Sequence, residues 1–197
     1  MNAPGQRSAR RDAEQVRAAL TDWLRGRPGY AQARITELAR PEGAGLSNET
    51  WLFSCERSGR QEPLVLQVGP AGGGLFRDYD LIAMARVQRR LGELGGVPVA
   101  RVRWDEPDPT VLGAPFYVMD RMAGRVPTDN PSYHAGGWFA ALPGDAQAAC
   151  WHSAIAAMVA LHRLDPCADG FEFLVDAPWG MPPDADPGLM RLAQWRD

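Results

Sequence analysis

Two different periods of apolar and polar residues run through the first 120 positions. Apolar residues at Val16, Leu20, Trp23 and Leu24 lie at helical spacing among charged residues, which predicts an amphipathic helix over about residues 11–26. Runs of β-branched and aromatic residues predict five strands, at Arg34–Leu38, Thr50–Cys55, Leu64–Val68, Val99–Trp104 and Pro115–Met119. A second helix from Leu81 to about Gly95–Gly96 falls between the third and fourth strands.

The turns between these strands and the segment before the first helix carry their own signals. The stretch "SGRQEP" predicts the hairpin turn between the second and third strands, and residues 1–10 are predicted to be disordered. Strand, turn, strand, turn, strand is the order of an antiparallel meander. The pattern over this half of the chain therefore predicts an α+β fold with one inserted helix.

The second half of the chain has a different character. Residues 129–147 are rich in Gly, Pro and aromatic residues, and a long helix is predicted over residues 145–164. Trp151, Ile155, Met158 and His162 lie on one face of it, while alanines, Val159 and Leu161 fill most of the others. A helix that is apolar on nearly all sides is normally buried in a larger structure. One further short helix is predicted at "PGLMRLAQW".

Composition narrows the class of protein. The 197 residues are 45% hydrophobic and 23% charged, as in a globular protein with a core. A net charge of −3 argues against non-specific binding to nucleic acid. No stretch is long and apolar enough to predict a membrane span, and the N-terminus does not resemble a secretory signal. Three cysteines without metal-ligand spacing fit a reducing compartment, so we expect a cytoplasmic protein.

The stretch "GAGLSNETWLF", Gly43–Phe53, is the first candidate for chemistry. It places Gly43, Gly45, Ser47 and Asn48 directly before a predicted strand. Glycines of this kind serve a plain hairpin turn, but they also let backbone N–H groups approach a phosphate, with Ser47 or Asn48 adding side-chain donors. The turn alone leaves both interpretations open.

Several stretches together resemble the aminoglycoside phosphotransferase and choline kinase-like family, in particular its acyl-CoA dehydrogenase-associated branch. They are "GLSNETWLF", "LVLQVGP", "LFRDYDL", "VPVARVRW", "PTVLGAPFYVMDRMAGRVP" and "ALHRLD", and they span roughly residues 35–197. The resemblance implies a protein-kinase-like fold, with a five-stranded antiparallel N-lobe, one inserted helix and the start of a helical C-lobe. It implies three parts: a tail and helix (1–28), a nucleotide-binding N-lobe (29–120), and a hinge with part of the C-lobe (121–197).

The same resemblance implies ATP and Mg²⁺ as cofactors and assigns a nucleotide site. With the family motifs present, the glycine turn is interpreted as a phosphate cradle that uses Gly43, Gly45, Ser47 and Asn48. The adenine would bond to the hinge backbone at the Asp120 carbonyl and the Met122 amide, with Met119 at the back of its pocket.

The chain departs from the family pattern at a charged pair. The third strand of such folds carries a basic residue that holds the α- and β-phosphates, and a glutamate on the next helix orients it. Here these positions fall on Gln67 and near Met84, and the sequence contains no lysine at all. Because an unpaired buried glutamate is costly, loss of one partner favours loss of the other. We expect weaker nucleotide binding than in a relative with arginine.

A second departure concerns catalysis. The family's His-Gly-Asp loop, its following Asn and its metal-binding Asp have no match, since His134, His152 and His162 all lack a following Gly-Asp. The "HRLD" of His162–Asp165 ends a helix and resembles the family segment that precedes the catalytic loop. We therefore expect a truncated chain with the catalytic and metal residues beyond Asp197 and an acceptor that the sequence does not reveal.

Two alternatives to a working phosphotransferase follow from these departures. The chain could be an inactive pseudo-kinase or interaction module that self-associates through the exposed helix 145–164. It could also be an inert fragment.

Overall fold

The described structure contains a five-stranded antiparallel sheet with helices on both faces. The computed structural model describes residues 11–41, 48–70, 80–127 and 132–174. Its elements are α1 (Ala13–Arg25), β1 (Arg34–Ala39), β2 (Glu49–Arg57), β3 (Arg60–Val68), α2 (Leu81–Leu94), β4 (Val102–Glu106), β5 (Phe116–Asp120), α3 (Gly137–Ala140), α4 (Gly144–His162) and a 3₁₀ turn (Glu172–Leu174). The strand order is β1-β2-β3-β5-β4. The predicted fold class is confirmed, while the predictions for residues 1–10 and for the last short helix lie outside the described residues.

The β2–β3 hairpin corrects one predicted boundary. Its turn is only two residues long, Ser58 and Gly59, with φ of 50° and 75°, which is the geometry of a type I′ turn. Arg57 consequently pairs with Arg60, and the ladder continues from there. The prediction that "SGRQEP" is all turn is wrong, because backbone pairing of Arg60–Pro63 needs no apolar side chains.

Helix α1 covers one face of the sheet. The Asp12 carboxylate caps it by accepting hydrogen bonds from the amides of Glu14 and Gln15, both at 3.0 Å. Its apolar stripe of Val16, Leu20 and Leu24 joins residues of the sheet and its connections in one buried core. The other members of this core are Tyr30, Ala33, Ile35, Trp51, Phe53, Cys55, Leu64, Leu66, Val68, Leu112, Ala114, Phe116 and Val118. The helix and the sheet therefore share one core.

Helix α2 packs on the opposite face. Leu81 and Ala85 contact Val102 and Tyr117, with Met119 at the edge of this second cluster. The Asp80 carboxylate caps the helix through the Ala83 amide at 2.8 Å. Gly95, with φ of 72°, ends it as predicted. Strand β4 begins at Val102 rather than Val99.

The region after β5 is helical and exposes apolar surface. Helix α4 matches the predicted helix 145–164 to within two residues, but none of its residues is buried. Trp151 is 56% exposed and Met158 is 51% exposed, with Ile155, Val159 and Leu161 also exposed. Within the described ranges, no helix combines the length and apolar character that crossing a bilayer requires.

Candidate functional site

Gln67 lies near the end of β3, in the centre of the sheet. It pairs with Thr50 on β2 and with Tyr117 on β5. Its side chain is half-buried, and its Oε1 accepts a hydrogen bond of 3.1 Å from the Thr50 hydroxyl. Since alternate strand residues share a face, Gln67 lies on the α2 side of the sheet, opposite the Leu66 and Val68 core. The position predicted to clamp phosphate therefore carries a neutral amide held by a neutral hydroxyl.

Asn48 is the described residue next to the predicted phosphate turn. It directly precedes β2, and its Oδ1 is buried and has no hydrogen-bond partner among the described residues. Such an oxygen can accept from a hydroxyl or an N–H group, whereas phosphate oxygens are themselves acceptors. The predicted contacts of Gly43, Gly45 and Ser47 lie outside the described residues.

The predicted adenine-binding stretch lies at the end of β5. Met119 is half-buried, and its sulfur accepts a hydrogen bond of 3.2 Å from the Gln88 Nε2. The Asp120 carboxylate is bonded to the Arg103 Nε at 2.5 Å, so that side chain is already occupied. Met122 is 62% exposed. The structure thus brings Met119 and Asp120 together on one strand and leaves Met122 in the connection that follows.

Helix α2 offers no carboxylate to this face. Met84, at the expected glutamate position, is 44% exposed. The one acidic residue of α2 is Glu93, which pairs with Arg90 at 3.3 Å on the same helix. The basic residue and the glutamate of the family pattern are therefore both absent from the positions at which the resemblance places them, Gln67 and Met84.

Gln88 is a contact residue that the sequence analysis did not assign to the site. Its Nε2 donates to the Ala100 carbonyl at 2.6 Å as well as to the Met119 sulfur. It is the polar member of an otherwise apolar helix face, one turn after Met84. The sequence feature that could have identified Gln88 is a single amide side chain on an apolar helix face.

An apolar groove of about 700 Å³ lies on the α2 side of Met119. Its walls come from α2, residues 99–100, β5 and the last described residue, and they are Asp80, Ala83, Met84, Val87, Gln88, Leu91, Val99, Ala100, Met119 and Leu174. Neither Gln67 nor Asn48 lines it. The groove therefore adjoins the predicted adenine pocket but is separate from the predicted phosphate contacts.

Charged groups cluster instead on the α1 face. The Tyr30 hydroxyl donates to Glu62 at 2.6 Å, and Arg57 pairs with the same carboxylate at 3.0 Å. Burial, together with Glu62, raises the pKa of Tyr30 to about 12. Burial opposes ionisation of Glu62, but the bonds from Tyr30 and Arg57 outweigh it and lower the Glu62 pKa. Burial also raises the pKa of Cys55. This cluster stabilises the packing of residues 27–33 on the sheet.

Neither a cluster of metal ligands nor a disulfide is present among the described residues. Across residues 11–41, 48–70, 80–127 and 132–174, no three His, Cys, Asp or Glu side chains converge as a metal site would require. Cys55, Cys150 and Cys167 are free thiols. The described residues therefore show no metal centre beside Gln67.

Comparison with known proteins decides the family. The model of the phosphotransferase enzyme family, APH, matches residues 38–190. The chain belongs to this family. Its sequence is 32% identical over 133 residues to the probable acyl-CoA dehydrogenase IBR3 of Arabidopsis thaliana, covering 66% of this chain and 15% of that protein.

A solved structure shares the fold of this phosphotransferase family member. It is a crystal structure from Ralstonia eutropha JMP134 of a protein assigned to the aminoglycoside phosphotransferases, with a TM-score of 0.50 and 24% identity. The match covers 88% of this chain and 43% of the other. The chain thus spans less than half the length of either protein.

Proposed function

We propose that this chain forms the nucleotide-binding part of an ATP-dependent phosphotransferase that acts on a small-molecule hydroxyl or amine. The observation that carries the proposal is the family match, which spans the glycine turn, β3 and β5 in the predicted kinase-like sheet. In such enzymes, binding and electrostatic positioning supply most of the catalysis.

The proposed roles follow the geometry of the sheet. Gly43, Gly45 and Ser47 would contact the phosphates through the β1–β2 turn, and Gln67 would donate from its Nε2, since its Oε1 is bonded to Thr50. The backbone at Asp120 and Met122 would bond the adenine edge, with Met119 behind it. A neutral amide at position 67 supports the proposal of weak nucleotide binding, because it lacks the positive charge with which an arginine would attract the phosphates.

Among the described residues, no three potential metal ligands converge. We propose that metal ligands and a His-Gly-Asp loop are supplied by residues that this sequence does not contain, and that the chain by itself does not transfer phosphate. The three free thiols support a cytoplasmic location as part of the same proposal.

Titration with a fluorescent ATP analogue tests the nucleotide site. We expect weak, saturable binding that Gly45→Val abolishes, because a branched side chain would fill the space in which backbone approaches phosphate. Gly144→Val is the matched control, since a Cβ at Gly144 meets nothing within 4 Å. Unchanged binding in Gly45→Val would remove the turn from the site.

A second function, self-association through α4, is favoured by a separate observation. Trp151, Ile155 and Met158 leave 39–56% of their surfaces exposed on one helix, and burying such side chains is worth roughly 1.5–3 kcal/mol each. We propose that a second copy covers this helix when no other partner is present. Light scattering should then show concentration-dependent dimers, and a monomer that binds no hydrophobic dye would refute it.

A further inference from the structure

Residues Asp165–Leu174, which we name the strap, pack against the outer side of α2. Arg90 donates from its Nε to the Asp169 carbonyl at 2.8 Å. The guanidinium of Arg86, one turn earlier, lies 3.9 Å from the centre of the Phe173 ring. Phe171 is only 6% exposed. Two arginines of one helix therefore hold a segment that follows α4.

The strap has its own internal hydrogen bonds. The Asp165 carboxylate accepts from the amides of Cys167 and Ala168 at 2.8 and 2.9 Å. The Asp169 carboxylate accepts from the Asp165 amide at 2.7 Å. These bonds fold the segment into a closed turn before it reaches α2, so its contacts with the helix cost little additional ordering.

Gly170 lies where the strap meets α2, in a conformation that favours glycine. Its φ is +81°, and a Cβ built there would lie 3.0 Å from the Arg90 Nε. A residue with a side chain would rarely adopt this φ, and its Cβ would push the Arg90 guanidinium, which donates to the Asp169 carbonyl, by a few tenths of an ångström. The close approach shows that the fit between strap and helix depends on this position.

The other side of α2 leads to the predicted adenine pocket. Gln88 lies two residues from both Arg86 and Arg90, and it ties the helix to the Ala100 carbonyl and the Met119 sulfur. Leu174, at the end of the strap, shares the apolar groove with Met119. A short series of contacts thus joins the segment after α4 to the end of β5.

We propose that the strap fixes the position of α2 and, through Gln88, the side chain of Met119. The helical part of the chain then controls the shape of the pocket behind Met119. The strap's effect on nucleotide affinity rests on the proposed function, whereas its effect on α2 and Met119 does not.

Gly170→Ala in the full chain tests the inference, with Gly59→Ala as the matched control. Gly59 also has a positive φ, of +75°, but a Cβ there meets nothing within 4 Å. By amide hydrogen exchange, we expect α2 amides to exchange roughly tenfold faster in Gly170→Ala than in the control, while the α1 amides, which lie on the other face of the sheet, stay equally protected in both variants. Equal protection of α2 in both variants would overturn the proposal.

A methyl spectrum of the seven methionines provides the second measurement. The signals of Met119 and Met84, assigned by single Met→Leu replacements, should shift in Gly170→Ala and remain in place in Gly59→Ala. A Met119 signal that does not move although α2 exchanges faster would overturn the connection through Gln88. If Gly170→Ala fails to fold, Phe173→Leu removes the Arg86 contact with less backbone strain, and the same two outcomes apply.

Titration with the ATP analogue separates this inference from the proposed function. Faster α2 exchange and a shifted Met119 signal, in a protein that binds no nucleotide at all, would support the strap and refute the nucleotide site. If Gly170→Ala binds the ATP analogue as the wild type does and its α2 amides exchange at the same rate, the proposed role of the strap is refuted and the nucleotide site is not.

Discussion

Replacing Gln67 with arginine should strengthen nucleotide binding, and the size of the gain follows from its surroundings. Gln67 is half-buried between Thr50 and Tyr117, at the position that we propose takes the place of the phosphate-binding basic residue of kinase-like folds. Two unit charges 4 Å apart attract by about 4 kcal/mol at an effective dielectric constant of 20. Desolvation of the guanidinium and the missing carboxylate on α2 offset part of this Coulomb attraction. We expect a net gain of about 1–3 kcal/mol, or roughly 5- to 150-fold in affinity.

Calorimetric or fluorescence titration with an ATP analogue would measure this gain, and Gln61→Arg is the matched control. Gln61 is on the same strand and is exposed, and at six residues' distance it lies about 20 Å from Gln67. Both variants carry the same net charge. The gain at Gln67 should fall as salt rises, but less steeply than for an exposed pair. Equal affinities in the two variants, at low salt, would refute the assignment of Gln67 to the phosphate site.

Two further predictions concern stability. The pKa of Tyr30 is raised to about 12 from 10.0, so the contribution of its protonated form to the free energy of unfolding is complete below pH 10 and is lost as pH rises through 12. In thermal unfolding, Tyr30→Phe should therefore lose less stability than the wild type between these pH values. Identical pH profiles of the two proteins would contradict the Tyr30–Glu62 bond. Leu20→Ala should cost about 2–5 kcal/mol in urea unfolding, because Leu20 is fully buried in the core that α1 shares with the sheet. A loss under 1 kcal/mol would show that α1 is not part of the cooperative unit.

The periodicity of apolar residues was sufficient to predict the elements of the sheet. Burial of one helix face gives α1 its apolar stripe of Val16, Leu20 and Leu24 at helical spacing. Burial of strand residues likewise gives the short runs of β-branched residues. Boundaries were less predictable where backbone pairing extends past apolar residues. Residues 60–63 of β3 pair with β2 through main-chain groups, which carry no sequence signal beyond the Ser58–Gly59 turn.

Much less of the candidate site could be predicted. The absence of charge at Gln67 and Met84 is evident from the sequence, whereas their assignment to the positions of a charged pair comes from the resemblance and stays a prediction. The contacts of Gln88 and of the strap could not. Arg90 bonds a backbone carbonyl 79 positions away, and a main-chain acceptor is the same whatever residue carries it. Long-range bonds of this kind appear only in the folded chain.

The shared core of α1 and the sheet has a practical consequence for trimming the protein. A version that began at residue 29, the start of the predicted N-lobe, would lack Val16, Leu20 and Leu24, which are 0–2% exposed. Their burial is worth roughly 1.5–3 kcal/mol each, and a whole domain is stable by only about 5–15 kcal/mol. Such a shortened version would present a bare apolar sheet face to water and would be expected to aggregate on expression.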